Sequence, residues 1–217
     1  MIERDSLSRD EAQALSDIIT EKILSLKEYK EADTILTYVS CRSEVITDGL
    51  ILAALNDGKK VGVPKVEGDI MNFYYINSLD ELEAGYFGVR EPVVSQNTSV
   101  SLSDNNGTVK PPVSDPSGCL MIVPGLAFDK DLNRIGYGKG FYDKYFQSHM
   151  DTPFTKCGIA FDIQLCEKIE ADRYDQPLDM LVTENSVILS EAKDLKLFSE
   201  RKAPHRTLSQ PFHYFQL

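Results

Sequence analysis

The chain has no tryptophan, only three histidines and only four cysteines in its 217 residues. Cys41, Cys119, Cys157 and Cys166 show no C-x-x-C pairing, which removes a zinc site or a disulfide framework from consideration. They read as reduced, mostly buried thiols of a cytoplasmic protein. Basic charge is also scarce: 23 Lys and Arg stand against 34 Asp and Glu, for a net charge of −11. No basic patch dominates the body, so nucleic acid is not an expected partner. No apolar run approaches the roughly 18 residues of a membrane span. No signal peptide opens the chain, and no membrane association is expected. Asn97-Thr98-Ser99 and Asn106-Gly107-Thr108 match the glycosylation triplet but read as loop composition.

What is present is an ordinary globular balance, 42% hydrophobic and 26% charged. A chain of this length is long enough to bury roughly 70% of its unfolded surface in one domain. Ser8-Arg9-Asp10-Glu11 is a capping box, and Ala12, Leu15, Ile18, Ile19, Ile23 and Leu26 follow at helical spacing. The spacing predicts a helix over about 9–29 and another over 47–56. Strands are predicted at 34–40, 60–64, 70–76, 119–123, 157–161, 180–183 and 187–189. This alternation argues a three-layer α/β/α domain with a mostly parallel sheet, over residues 1–190. Residues 80–90 and the polar stretch after residue 125 read as loops. Residues 93–118, rich in Ser, Asn, Asp, Gly and Pro, read as a solvated insertion, and 191–217 as a loosely ordered tail. The tail holds five basic against three acidic residues, so the body carries −13.

The organising stretch is 119–147, CLMIVPGLAFDKDLNRIGYGKGFYDKYFQ. A short apolar run ends at Pro124-Gly125. Then come Arg134, three glycines (Gly136, Gly138, Gly140) around Tyr137 and Lys139, and a helical pattern opening at Phe141-Tyr142-Asp143. A strand, a Gly-rich basic turn and a helix start form an anion site, because backbone N–H groups can approach phosphate oxygens there. Asp143, one turn past Gly140, suits a magnesium ion. The spacing is neither GxxxxGK[ST] nor GxGxxG. A turn that merely caps a helix stays open as the plain alternative. In parallel sheets ligands bind beyond the carboxyl ends of strands, where both Glu44 and the Gly-rich turn fall.

PGLAFD (124–129), NRIGYGKGFYD (133–143) and AFDIQL (160–165) together resemble the 5-formyltetrahydrofolate cyclo-ligase family. The resemblance spans roughly residues 4–190 and implies the same α/β/α sheet. It also implies an ATP- and Mg2+-dependent conversion of 5-formyltetrahydrofolate to 5,10-methenyltetrahydrofolate, by phosphorylation of the formyl oxygen. By that resemblance Lys139 and Arg134 are the catalytic cations. Arg4, Arg134, Gly136, Gly138, Lys139, Gly140 and Tyr142 would bind ATP. Glu44, Met71, Tyr137 and Phe141 would bind the folate, and Asp143 and Asp179 the magnesium. A monomer acting on small molecules is expected.

Two departures stand out. The family opens with a basic Lys-x-x-Leu-Arg segment, of which only Arg4 has a counterpart here, and it commonly has an acidic residue where Cys119 stands. The first departure predicts weak ATP binding and slow turnover. It also keeps a second function class in play, a catalytically weak folate- or nucleotide-binding protein of the same fold. A sugar-phosphate isomerase would explain the phosphate turn but not Glu44 or AFDIQL, and the Gly-rich segment offers it no His or Glu as a base.

Overall fold

A computed structural model of the chain describes residues 3–85, 88–93, 112–172 and 175–190. Most of the expected insertion and all of the expected tail lie outside the described residues. The capping box forms as predicted: the Ser8 hydroxyl accepts from the Glu11 N–H at 3.2 Å, and the Glu11 carboxylate accepts from the Ser8 N–H at 2.9 Å. The helix it starts, α1 (Arg9–Ser25), is shorter than predicted. Leu26 is extended, and a second helix, α2 (Lys27–Glu31), begins after it. The break turns Tyr29 into the core, where its hydroxyl donates to Asp57 at 2.7 Å.

The chain continues through β1 (Thr34–Thr37), α3 (Asp48–Asn56), β2 (Lys60–Glu67), β3 (Ile70–Ile76), β4 (Leu82–Ala84) and β5 (Arg90–Pro92). It then forms β6 (Leu120–Val123), β7 (Ala127–Phe128), β8 (Arg134–Ile135), α4 (Phe141–Ser148), β9 (Thr155–Ile159), β10 (Met180–Val182) and β11 (Val187–Leu189). Seven strands make one sheet in the order β11-β10-β9-β6-β1-β2-β3. The inner pairs are parallel, and the two edge pairs, β2–β3 and β10–β11, are antiparallel.

β6 shows why the centre is stable. Its four residues are fully buried, and they alternate between two cores. Leu120 and Ile122 join Ile19, Ile23, Leu50 and Ile51 from α1 and α3, while Met121 packs with Phe73, Phe128, Tyr145 and Phe146 on the α4 face. Each such side chain removed from water contributes about 1.5–3 kcal/mol. Cys119, in the same apolar run, is 3% exposed, which fits a thiol in place of an acid.

Two predicted loops are strand pairs. Residues 80–90 contain the β4–β5 hairpin, and the stretch after residue 125 contains β7, paired with β8. The end of the predicted insertion is also not solvated. Val113 is buried, and its N–H donates to the Phe73 carbonyl at 2.8 Å beside β3.

The strand order reverses at one place. From β1 the chain moves outward to β2 and β3, then returns to set β6 on the other flank of β1 and continues to β9 and β10. The crevice beyond the carboxyl ends of β1 and β6 is where such a sheet binds ligands.

Candidate active site

Glu44 stands on the loop that leaves β1. That loop is folded on itself: the Ser40 N–H donates to the Thr47 hydroxyl at 3.1 Å, which in turn donates to the Tyr38 carbonyl at 2.9 Å. Glu44 is only 6% exposed, and one carboxylate oxygen, Oε2, accepts from the Cys41 N–H at 2.9 Å. The other oxygen crosses the crevice. Oε1 accepts from the Tyr137 hydroxyl at 2.6 Å, and that hydroxyl accepts from Arg4 Nη2 at 2.6 Å. The proximity expected from the strand ends is therefore a direct hydrogen bond. Burial raises the Tyr137 phenol above its usual range, and the Glu44 charge raises it further, so it stays protonated and able to donate.

Arg4, on a turn at Glu3–Ser6, is 4% exposed and also donates to the Gly125 carbonyl at 3.1 Å. The same carbonyl accepts from Gln164 Nε2 at 2.9 Å, while Gln164 Oε1 accepts from the Phe161 N–H at 3.0 Å. The glutamine of AFDIQL thus pins the end of β6 to the end of β9. Buried Asp129 organises the turn between β7 and β8, accepting from Asn133 N–H at 2.8 Å, Asn133 Nδ2 at 3.1 Å and Ile169 N–H at 2.8 Å. Burial alone would raise its pKa, but these donors outweigh that and hold it below the usual carboxylate value.

Arg134 emerges from this turn nearly buried and pairs with Asp143 at 2.8 Å. Its guanidinium lies 5.7 Å from the Tyr142 ring centroid and 5.8 Å from that of Phe146. Arg134 Nε and the Tyr142 hydroxyl are both buried without a partner among the described residues. Burial pushes the Tyr142 phenol up, and the Glu44 charge adds to it. Two buried donors with no acceptor beside this ion pair mark a place where a bound anion would be satisfied. Gly138 and Gly140 have φ of +82° and +64°, and Gly140 is the N-cap of α4. Lys139 between them is exposed and bonds to no described residue.

The other expected folate residues are less exposed to a ligand. Met71 is 7% exposed within the α4-side core, and Phe141 is half-buried with the Lys144 ammonium 5.9 Å from its ring centroid. Asp179, just before β10, accepts from the Lys156 N–H at 2.7 Å through Oδ2. Asp143 and Asp179 each keep one oxygen without a bonded partner among the described residues. Among the described residues, no group of three or more His, Cys, Asp or Glu gathers there. Two carboxylates with free oxygens still fit magnesium, which takes one or two protein carboxylates and completes its shell with phosphate and water.

Three residues of this site were not foreseen: Asp129, Gln164 in its anchoring role, and Lys156. Asp129 had a visible signal, the Asn133 four residues on; the others depend on contacts between distant strands.

The 5-formyltetrahydrofolate cyclo-ligase family model matches residues 1–184. A probable 5-formyltetrahydrofolate cyclo-ligase of Schizosaccharomyces pombe is 32% identical, over 82% of this chain and 87% of that protein. The 5-formyltetrahydrofolate cyclo-ligase of Mus musculus is 28% identical, over 83% of this chain and 88% of its own length. The structure also superposes on the NMR structure of Aquifex aeolicus 5,10-methenyltetrahydrofolate synthetase with a TM-score of 0.70 at 28% identity, covering 98% of this chain and 94% of the other. With the crevice, the Gly-rich turn and the buried glutamate in place, the chain belongs to the 5-formyltetrahydrofolate cyclo-ligase family.

Proposed function

We propose that the chain converts 5-formyltetrahydrofolate to 5,10-methenyltetrahydrofolate with ATP and magnesium, releasing ADP and phosphate, as a monomer in the cytoplasm. One observation carries the reading: the Arg4–Tyr137–Glu44 hydrogen-bond chain, which joins a phosphate-directed cation to a buried carboxylate across the crevice. A carboxylate of this kind can accept two hydrogen bonds from adjacent pterin N–H groups. The Gly138–Gly140 turn, whose neighbour Tyr137 reaches Glu44, together with Lys139 and Arg134 suits a triphosphate.

The reaction is a phosphoryl transfer followed by ring closure. The formyl oxygen takes the γ-phosphoryl group from ATP, whose bond to the β-phosphate breaks to give ADP. N10 then forms a bond to the formyl carbon and gives up its proton, and phosphate leaves with the former formyl oxygen. Lys139 and Arg134 hold the phosphates in line and neutralise charge that develops on them. Asp143 and Asp179 would hold the magnesium, which would supply positive charge to offset that of the phosphates. Glu44 would fix the pterin, and the half-exposed ring of Tyr137 would be free to stack on it. The test is to mix protein, magnesium, ATP and 5-formyltetrahydrofolate and follow the absorbance of the conjugated methenyl product. Growth that requires ATP supports the reading; folate binding without product selects the non-catalytic binding protein.

A further inference from the structure

Phe146, one turn beyond Asp143 on α4, carries two cations against its ring. Arg134 Cζ lies 5.8 Å from its centroid and Lys156 Nζ 5.4 Å. Arg134 is paired with Asp143, and Lys156 is tied to Asp179 by its backbone: its N–H donates to Oδ2 at 2.7 Å, and its carbonyl accepts from the Asp179 N–H at 2.9 Å. Each carboxylate assigned to the metal therefore has a basic residue fixed beside it. The two cations differ in one respect. The Arg134 guanidinium is partly satisfied, whereas the half-buried Lys156 ammonium has no hydrogen-bonded or ion-paired partner among the described residues. An ammonium offers three donors and normally turns them to water or an acceptor. The orphaned Nε of Arg134 belongs to the same cluster, so two cationic side chains here hold donors with no acceptor among the described residues.

We propose that Lys156 is a further phosphate-binding residue, meeting the terminal phosphoryl group of the nucleotide beside Asp143 and Asp179. Nothing in the Gly-rich motif contains it: it comes from the opening of β9, two strands away from the crevice wall that Glu44 forms. The inference rests on the nucleotide reading given above.

The experiment compares Lys156→Met, which keeps an unbranched stem over Phe146 but removes the charge, with Lys156→Arg. Calorimetric titrations use magnesium with ADP, with a non-hydrolysable ATP analogue, and with 5-formyltetrahydrofolate. The expected result is about tenfold weaker binding of the triphosphate in Lys156→Met, a change of no more than about twofold for ADP and folate, and recovery in Lys156→Arg. Equal loss for ADP and the triphosphate, or unchanged triphosphate binding with tighter magnesium binding, would overturn the proposal and leave Lys156 as a counter-ion to the two carboxylates. If Lys156→Met does not fold, Lys156→Gln is read by the same ratio. A parent protein that binds neither nucleotide refutes the functional reading itself, a different outcome from a parent that binds both and a variant that does not discriminate.

Discussion

Glu44 illustrates how much a single buried carboxylate constrains. Both of its oxygens accept, one from a backbone N–H and one from a phenol, in a position that is 6% exposed. In Glu44→Gln one of those two acceptors becomes an NH2 group facing a donor. Folate binding should weaken by about 1.5–3 kcal/mol while ATP binding changes little, a contrast that calorimetry with each ligand measures. Loss of both affinities together would point to a misfolded crevice. Asp129 gives a prediction of a different kind. Its pKa is depressed in the folded protein, so it adds stability above its unfolded value, near 4 by ordinary carboxylate behaviour. That contribution is lost as pH falls through the lower folded value. Asp129→Asn should therefore melt earlier at neutral pH, and the gap to the parent should shrink below about pH 4. Melting curves at several pH values check it. Glu44, Arg134 and Lys139 were legible because each sits in a motif. Gln164 was not assigned a role because it bonds to backbone 38 to 39 residues away, and Asp129 because its local bonds to Asn133 do not reveal the third, to Ile169, 40 residues on.

At the scale of the element, the Gly-rich turn works through its backbone. Gly138 and Gly140 sit in the left-handed region, and a methyl group at either position would meet no atom within 4 Å. The effect of Gly140→Ala is therefore conformational, about 1–2 kcal/mol. For a domain of this size that lowers the melting temperature by roughly 2–8 °C. Nucleotide affinity should fall as well, since the turn supplies the N–H groups at the start of α4. A variant with lower stability but unchanged ATP binding would remove the turn from the phosphate site. Gly62→Ala is the opposite case, because the new methyl would stand 2.6 Å from Leu36 Cδ2 inside the sheet. Its loss should be in stability alone. The elements were readable where the period was long. α3, β3 and β6 fall within a residue of prediction, and three-residue β10 and β11 were found by their continuous apolar runs, while β4, β5, β7 and β8 are short and mixed with charged or Gly-rich residues that hide them. The end of α1 at Ser25 follows from burying Tyr29, a tertiary demand that helical spacing does not carry.

Across the whole molecule, the sheet order brings together residues from the first turn, the loop after β1 and the turn after β8. Their meeting point is one hydroxyl. Tyr137 accepts from Arg4, which polarises its O–H and strengthens the bond it gives to Glu44. On the proposed assignment, a nucleotide that drew Arg4 toward its phosphates would weaken Tyr137's hold on Glu44 and free that carboxylate for the pterin. The two substrates are then thermodynamically linked: each should tighten the other, and reciprocity requires the same factor in both directions. A factor on the order of fivefold or more is expected for a coupling of about 1 kcal/mol. Tyr137→Phe keeps the ring and removes the shared hydroxyl, so each ligand should still bind but the factor should fall to about one. Titrations of folate with and without a non-hydrolysable ATP analogue, and of the analogue with and without folate, close the cycle. A parent enzyme and a Tyr137→Phe variant with the same factor would show that the two halves of the crevice bind independently. If the linkage holds, whichever substrate arrives first prepares the site for the other, and the enzyme commits itself only when both are present.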